Sequence, residues 1–169
     1  MASPIDMSFY IHQAKTSQDL EDIRDLFTAY VEWLNLDLSF QDFQAELSSL
    51  PGKYAPPKGG LLLARSSRSE GPLGCVAFRA LPALGETCCE MKRLYVVPDG
   101  RGSGVGVALA RAVLEEARNR GFELMKLDTL ADRMGSAVKL YKQLGFVECE
   151  KYYDTPLSTT LFLECDLSK

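Results

Sequence analysis

Gly102, Gly104 and Gly106 stand where a β-rich run, Glu90-Met-Lys-Arg-Leu-Tyr-Val-Val-Pro98, gives way to a helical run that begins at Val105 and closes at Gly121. Without a Cβ the backbone can come close to a ligand, and a helix starting there points unpaired N–H groups outward. Strand, glycine loop and helix together make an anion site, and phosphate is the anion that suits it best. Spacing excludes two familiar phosphate loops. The dinucleotide fingerprint G-x-G-x-x-G needs a glycine where Val107 stands, and a P-loop needs Gly-Lys-Ser/Thr after the glycines.

What remains is Arg101-x-x-Gly104-x-Gly106, which with its flanking strand and helix resembles the coenzyme A pyrophosphate loop of the GNAT N-acetyltransferases. Downstream, Ala137-Val-Lys-Leu-Tyr-Lys-Gln-Leu-Gly-Phe146 is similar to that superfamily's other recurring segment, Ala-x-x-x-Tyr-x-x-x-Gly-Phe. The resemblance covers the whole chain. It implies acetyl-CoA as cosubstrate, no metal, and transfer of the acetyl group to a primary amine by direct attack in a ternary complex. The coenzyme contacts it implies are backbone groups of Leu94, Tyr95 and Val96 for pantetheine, the loop Arg101, Gly102, Ser103, Gly104, Val105 and Gly106 for pyrophosphate, and Tyr141 at the sulfur.

Acetyl transfer requires that the amine lose a proton, that the thioester oxygen be stabilised as it becomes anionic, and that the departing thiolate be protonated. Tyr141 suits the last task, because a phenol of pKa about 10 can protonate a thiolate of about 8.5. The Leu94 N–H is the expected oxyanion donor. Glu90, eleven residues before Arg101, resembles the base of glutamate-using members, and strand alternation without a bulge puts it on one face with Lys92, Leu94 and Val96. Its other reading is a strand carboxylate paired with Lys92 or Arg93. Should Glu90 not be the base, Asp37, Asp128, Asp154 or a water takes that place. Met134 stands where many relatives carry asparagine, so a polar contact to the coenzyme is expected to be missing.

The elements that must position these groups follow from hydrophobic period and punctuation. Phe9 to Ala14 is β-rich, and Thr16 to Asp19 caps a helix over Ser17–Leu34 whose apolar residues recur at helical spacing. A second helical stretch opens at Ser39 and ends before Pro51-Gly52. Leu61 to Arg65, Leu73 to Leu81 and Cys88 to Val97 form an antiparallel meander, followed by the helix from Val105 to Arg120 and a fifth strand, Leu124 to Thr129. A last helix spans Ser136 to Leu144, and strands over Phe146–Tyr153 and Leu161–Leu167 close the sheet. The fold class is α+β (mixed α/β): a GNAT fold with a central mixed, mostly antiparallel sheet of about seven strands, splayed between strands 4 and 5 and flanked by about four helices.

The 169 residues make one expected domain, 1–169, long enough to bury roughly two thirds of its unfolded surface. A net charge of −4 with no basic stripe argues against nucleic acid. No run reaches a membrane span and the N-terminus lacks a signal pattern, so the expectation is a soluble, cytoplasmic protein. Cys75, Cys88, Cys89, Cys149 and Cys165 sit in apolar runs without a C-x-x-C pair and read as reduced core residues. His12, the sole histidine, lies in the first strand. The acceptor, a small-molecule or peptide amine, is expected against Trp33-to-Phe40 and Tyr152-to-Thr159, where Asp37 and Asp154 suit a cation. A homodimer is compatible with this reading. Two other functions stay open: a catalytically silent coenzyme A binding module acting as sensor or scaffold, and a cysteine-mediated acyltransferase, for which no thiolate-stabilising partner is visible.

Overall fold

The computed structural model describes residues 8–169. After β1 (Phe9–Gln13), α1 (Ser17–Leu34) starts at a capping box: Thr16 Oγ1 accepts the Asp19 amide, and the Asp19 carboxylate accepts the Thr16 and Lys15 amides. Asp19 Oδ1 also accepts from Arg65 at 2.7 Å, which ties the first turn of α1 to the sheet. The helix stops at Asn35, whose φ of 53° only a few residue types adopt readily. The second helical stretch is broken in two. A 3-10 turn, Ser39–Gln41, meets α2 (Phe43–Ser48) at Asp42, which has a φ of 55°.

The meander follows as β2 (Gly60–Ser66), β3 (Pro72–Ala80) and β4 (Cys88–Val96). Then come α3 (Val105–Asn119), β5 (Leu124–Leu130), α4 (Gly135–Gln143), β6 (Val147–Glu148) and β7 (Thr160–Asp166). The strand order is β1-β2-β3-β4-β5-β7-β6, antiparallel except for β4 beside β5. That parallel pair is brief. Cys88, Cys89 and Glu90 face Leu124, Met125 and Lys126, and beyond Glu90 the two strands part, which is the expected splay. Among the described residues no helix is long and apolar enough to cross a membrane.

Each face of the sheet carries its own core. Cys89, Met91, Leu109, Val113, Leu127 and Phe146 pack on the α3 and α4 side. Ile23, Phe27, Leu63, Cys75, Ala77 and Tyr95 pack on the α1 and α2 side.

Two expectations are corrected. The sixth strand is only Val147–Glu148, so Tyr152 and Tyr153 belong to the connection into β7. More important, β4 carries a bulge. The register passes from Cys75 opposite Tyr95 to Ala77 opposite Lys92, so two steps on β3 span three on β4, and Arg93 takes a φ of 61°. An inserted residue reverses the alternation. Glu90 and Lys92 point to the α1 side while Leu94 and Val96 pack on the α3 side, so the four do not share a face. Glu46 of α2 accepts from Arg93 Nε at 2.9 Å, and the Arg93 guanidinium stacks on Phe43 at 5.3 Å, which holds the bulged side chain under α2.

Candidate active site

The glycine loop leaves β4 through a 3-10 turn, Pro98–Gly100, which Ser103 Oγ closes by donating to the Gly100 carbonyl at 2.6 Å. Gly102 and Gly104 have φ of 81° and 87°, the left-handed region where an L side chain is strained, and a Cβ at either would meet nothing within 4 Å. Backbone conformation and the open space beside it, not crowding by the protein, therefore call for glycine here. Gly104 is the N-cap of α3 and has no side chain to cover the first-turn amides, so those amides are left to solvent or a ligand. Arg101 Nε donates to the Val96 carbonyl at 3.0 Å, and its guanidinium lies 5.4 Å from the Trp33 ring and 5.8 Å from Tyr95.

These residues wall a cleft of about 520 Å³ between the loop, the end of β4 and the start of α4. Leu94, Tyr95, Val96, Arg101, Gly102, Gly104, Val105 and Gly106 all line it, while Ser103 braces the loop from behind. Trp33, expected with the acceptor, is in the last turn of α1 and lines this cleft instead.

A second, smaller cavity of about 40 Å³ lies where β4 and β5 have parted, with Tyr30, Gln41, Lys92, Asp128, Thr129 and Tyr141 around it. Leu94 and Met134 line both spaces, so cleft and cavity abut there. Met134 is buried with its sulfur accepting from Thr129 Oγ1 at 3.5 Å, which makes the expected asparagine position an apolar partition. Leu94 follows the bulge and, like Arg93, has no register partner on β3 or β5.

Tyr141 is 5% exposed and meets Phe146 edge-on at 5.6 Å. Its hydroxyl makes no hydrogen bond to protein among the described residues, and the residue lines the smaller cavity and not the cleft. Burial pushes the phenol well above the ordinary tyrosine value, so it keeps its proton throughout the physiological range. Asp128 Oδ2 accepts from the Tyr153 hydroxyl at 2.6 Å, and Lys92 Nζ donates to Gln41 Oε1 at 3.3 Å.

Glu90 is placed elsewhere. It is 1% exposed, its Oε1 accepts from Arg79 Nε at 2.9 Å and its Oε2 from the Tyr152 hydroxyl at 2.6 Å, and it lines neither space. The structure thus brings Tyr141 and Leu94 together but not Glu90, whose partner is Arg79 rather than Lys92 or Arg93. Asp37 is spent on the Ser39 amide and Asp154 pairs with exposed Lys151. His12 Nε2 accepts from Arg65, far along the sheet in β1. The Cys75 thiol donates to the Arg93 carbonyl, and burial pushes Cys75 and Cys89 far above the thiol range, the opposite of what a nucleophile needs. Nothing in the sequence marks Lys92, Tyr30 or Gln41 as lining this cavity. In sequence they look like helix and strand members, and only the bulge and the splay make them neighbours.

Known proteins share the sequence pattern and the fold. The model of the acetyltransferase (GNAT) family matches residues 20–146. An uncharacterized N-acetyltransferase of Schizosaccharomyces pombe is 40% identical over 169 residues, covering the whole of both chains. Among solved structures, an acetyltransferase of the GNAT family from Staphylococcus aureus superposes with a TM-score of 0.76 at 18% identity, covering 95% of this chain and 99% of that one. An acetyltransferase from Salmonella typhimurium, described with its cofactor acetyl-CoA, does so with a TM-score of 0.65 at 18% identity over 94% of each chain.

Proposed function

This chain belongs to the GNAT acetyltransferase family, and from that premise we propose that it moves an acetyl group from acetyl-CoA to a primary amine by direct attack in a ternary complex. The observation that carries the reading is the meeting of the phosphate-type cleft and the polar cavity at Leu94 and Met134, with Tyr141 in the wall of that cavity. Acetyl-CoA lies in the cleft with its pyrophosphate on the loop amides and its thioester at the junction. The amine enters from the cavity.

Asp128 takes a proton from the incoming ammonium, and the freed nitrogen attacks the thioester carbon. The Leu94 N–H receives the oxyanion at the bulge. When the C–S bond breaks, Tyr141 gives its proton to the sulfur and is restored by the second proton of the attacking nitrogen, Asp128 returns its proton to solvent, and coenzyme A and the N-acetyl product leave. Glu90 acts at a distance by holding Tyr152 on the connection above Asp128. Its ion pair favours the silent coenzyme A module on one count, but the free phenol and the carboxylate in the cavity favour transfer.

Single-turnover release of coenzyme A thiol, measured with saturating acetyl-CoA and a panel of amines, tests the proposal. Tyr141→Phe and Asp128→Asn are each expected to lower the rate by about 10² to 10⁴ with acetyl-CoA affinity unchanged. Wild-type rates in both variants would refute the assigned roles, and coenzyme binding without turnover of any amine would leave the silent module.

A further inference from the structure

The cavity holds a cation that the proposed chemistry does not use. Lys92 is 9% exposed, and among the described residues its ammonium makes one hydrogen bond, to the neutral Gln41 amide oxygen at 3.3 Å. The other buried basic side chains have carboxylate partners: Arg93 has Glu46, and Arg65 has Asp19 and Asp22. Partly covered Arg79 and Lys126 are paired with Glu90 and Glu164. Among the described residues no carboxylate is within ion-pairing distance of Lys92 Nζ. An ammonium has three donors, and burying one with a single neutral acceptor is costly unless a ligand completes it.

The surroundings say what kind of ligand. Lys92 and Asp128 line the same small cavity, so one wall offers a positive charge and another a negative one. About 40 Å³ accommodates about three waters, which limits the occupant to a compact head group. A diamine or polyamine would set its second ammonium against Lys92. A head group that carries an amine and a carboxylate on one carbon satisfies both walls at once. Burial also pulls Lys92 below the ordinary lysine value, with Glu90 and Asp128 opposing from a distance and Arg93 and Lys53 adding to the fall, as befits an ammonium still lacking a counter-ion.

We infer that the acceptor is an amino acid or a close analogue, its carboxylate received by the Lys92 ammonium while its amine faces Asp128. The inference rests on the transferase reading, since it assigns the acceptor of that same site. The test measures acetyl-CoA-dependent turnover of free amino acids against their carboxamides and against simple monoamines and polyamines, in wild type, Lys92→Met and Lys92→Arg. The expected result is that wild type prefers at least one amino acid to its carboxamide by about 10- to 100-fold in kcat/KM, the range for a hydrogen-bonded charge. Lys92→Met should erase that preference with the KM for acetyl-CoA unchanged, and Lys92→Arg should keep part of it.

A wild type that turns over carboxamides or polyamines as well as amino acids overturns the inference and spares the transferase reading. So does a Lys92→Met variant, shown folded by its melting curve, that slows all acceptors by one factor. Failure to acetylate any member of the panel overturns both.

Discussion

The bulge that turns Leu94 toward the cleft is held by a buried charge pair, so weakening that pair tests how the site is supported. Glu46 and Arg93 have side chains only 2% and 4% exposed, and Glu46 also accepts from Tyr54 at 2.8 Å and meets Lys53 at 3.1 Å. Glu46→Gln keeps the shape and an acceptor but strands the Arg93 charge. Removing one member of a buried pair costs about 3–5 kcal/mol, and the retained amide oxygen points to the lower end. A loss of about 3 kcal/mol lowers the Tm of a chain this long by roughly 6–12 °C. Replacing both residues, Glu46→Gln with Arg93→Met, removes the stranded charge and should recover more than half of the loss.

The dependence on pH has a definite sign. Burial alone would raise the Glu46 carboxyl, but Arg93 outweighs it and the group is held below the usual range. A depressed folded pKa stabilises above the unfolded value, about 4.3 for glutamate, and that stability is lost as pH falls through the folded pKa. The gap between wild type and Glu46→Gln should therefore be full at pH 7 and close below about pH 4. Thermal melts followed by circular dichroism across that range measure it. A gap under about 1 kcal/mol at pH 7, or a double variant as unstable as the single one, would refute the account.

Gly104→Glu should abolish acetyl-CoA binding in calorimetry, since it adds bulk and a negative charge where the loop amides await an anion, at a φ of 87° that glutamate tolerates poorly; equal affinity in a folded variant would remove the loop from the site. Glu90→Gln should slow turnover far less than Asp128→Asn, because Glu90 lines neither space, and the reverse order in single-turnover rates would return the base to Glu90. Asp19→Asn should cost about 1–3 kcal/mol at neutral pH, through its cap bonds and its contact with Arg65. Burial would raise the Asp19 carboxyl, but two backbone amides and Arg65 hold it below the ordinary aspartate range, so this contribution too is lost on acidification, and urea titrations at pH 7 and pH 3 would expose a variant with the wrong sign.

Much of the molecule was legible because its signals are local. The capping box at Thr16 and the apolar stripe of α1 give Ser17–Leu34 with the bounds the structure has. The two glycine-marked segments lead to the loop and helix that wall the cleft. What sequence did not reveal is non-local or carried by backbone alone. Arginine has no preference for positive φ, so nothing at Arg93 announces the bulge, and every face assignment beyond it is reversed. Glu90 looked like a base by its spacing, yet its partners, Arg79 and Tyr152, come from a neighbouring strand and a distant connection. Trp33 lies in the last turn of a helix whose bounds the sequence does show, but which space that turn lines depends on how α1 packs over β4, and that is non-local.

The brevity of the β4–β5 pairing has a mechanical consequence. Among the described residues the half-sheet β1 to β4 joins the half-sheet β5, β7 and β6 through the strand steps from Cys88 to Glu90 and the adjoining bonds to the Thr87 carbonyl, and beyond Glu90 the halves flank a wedge. Such a joint is compliant in twisting about the seam. Any molecule that spans the wedge acts as a splint, adding stiffness between two bodies that share little backbone bonding. Its binding energy is then distributed over the whole sheet, so occupancy and resistance to unfolding rise together, and the empty protein is the more pliable of the two states.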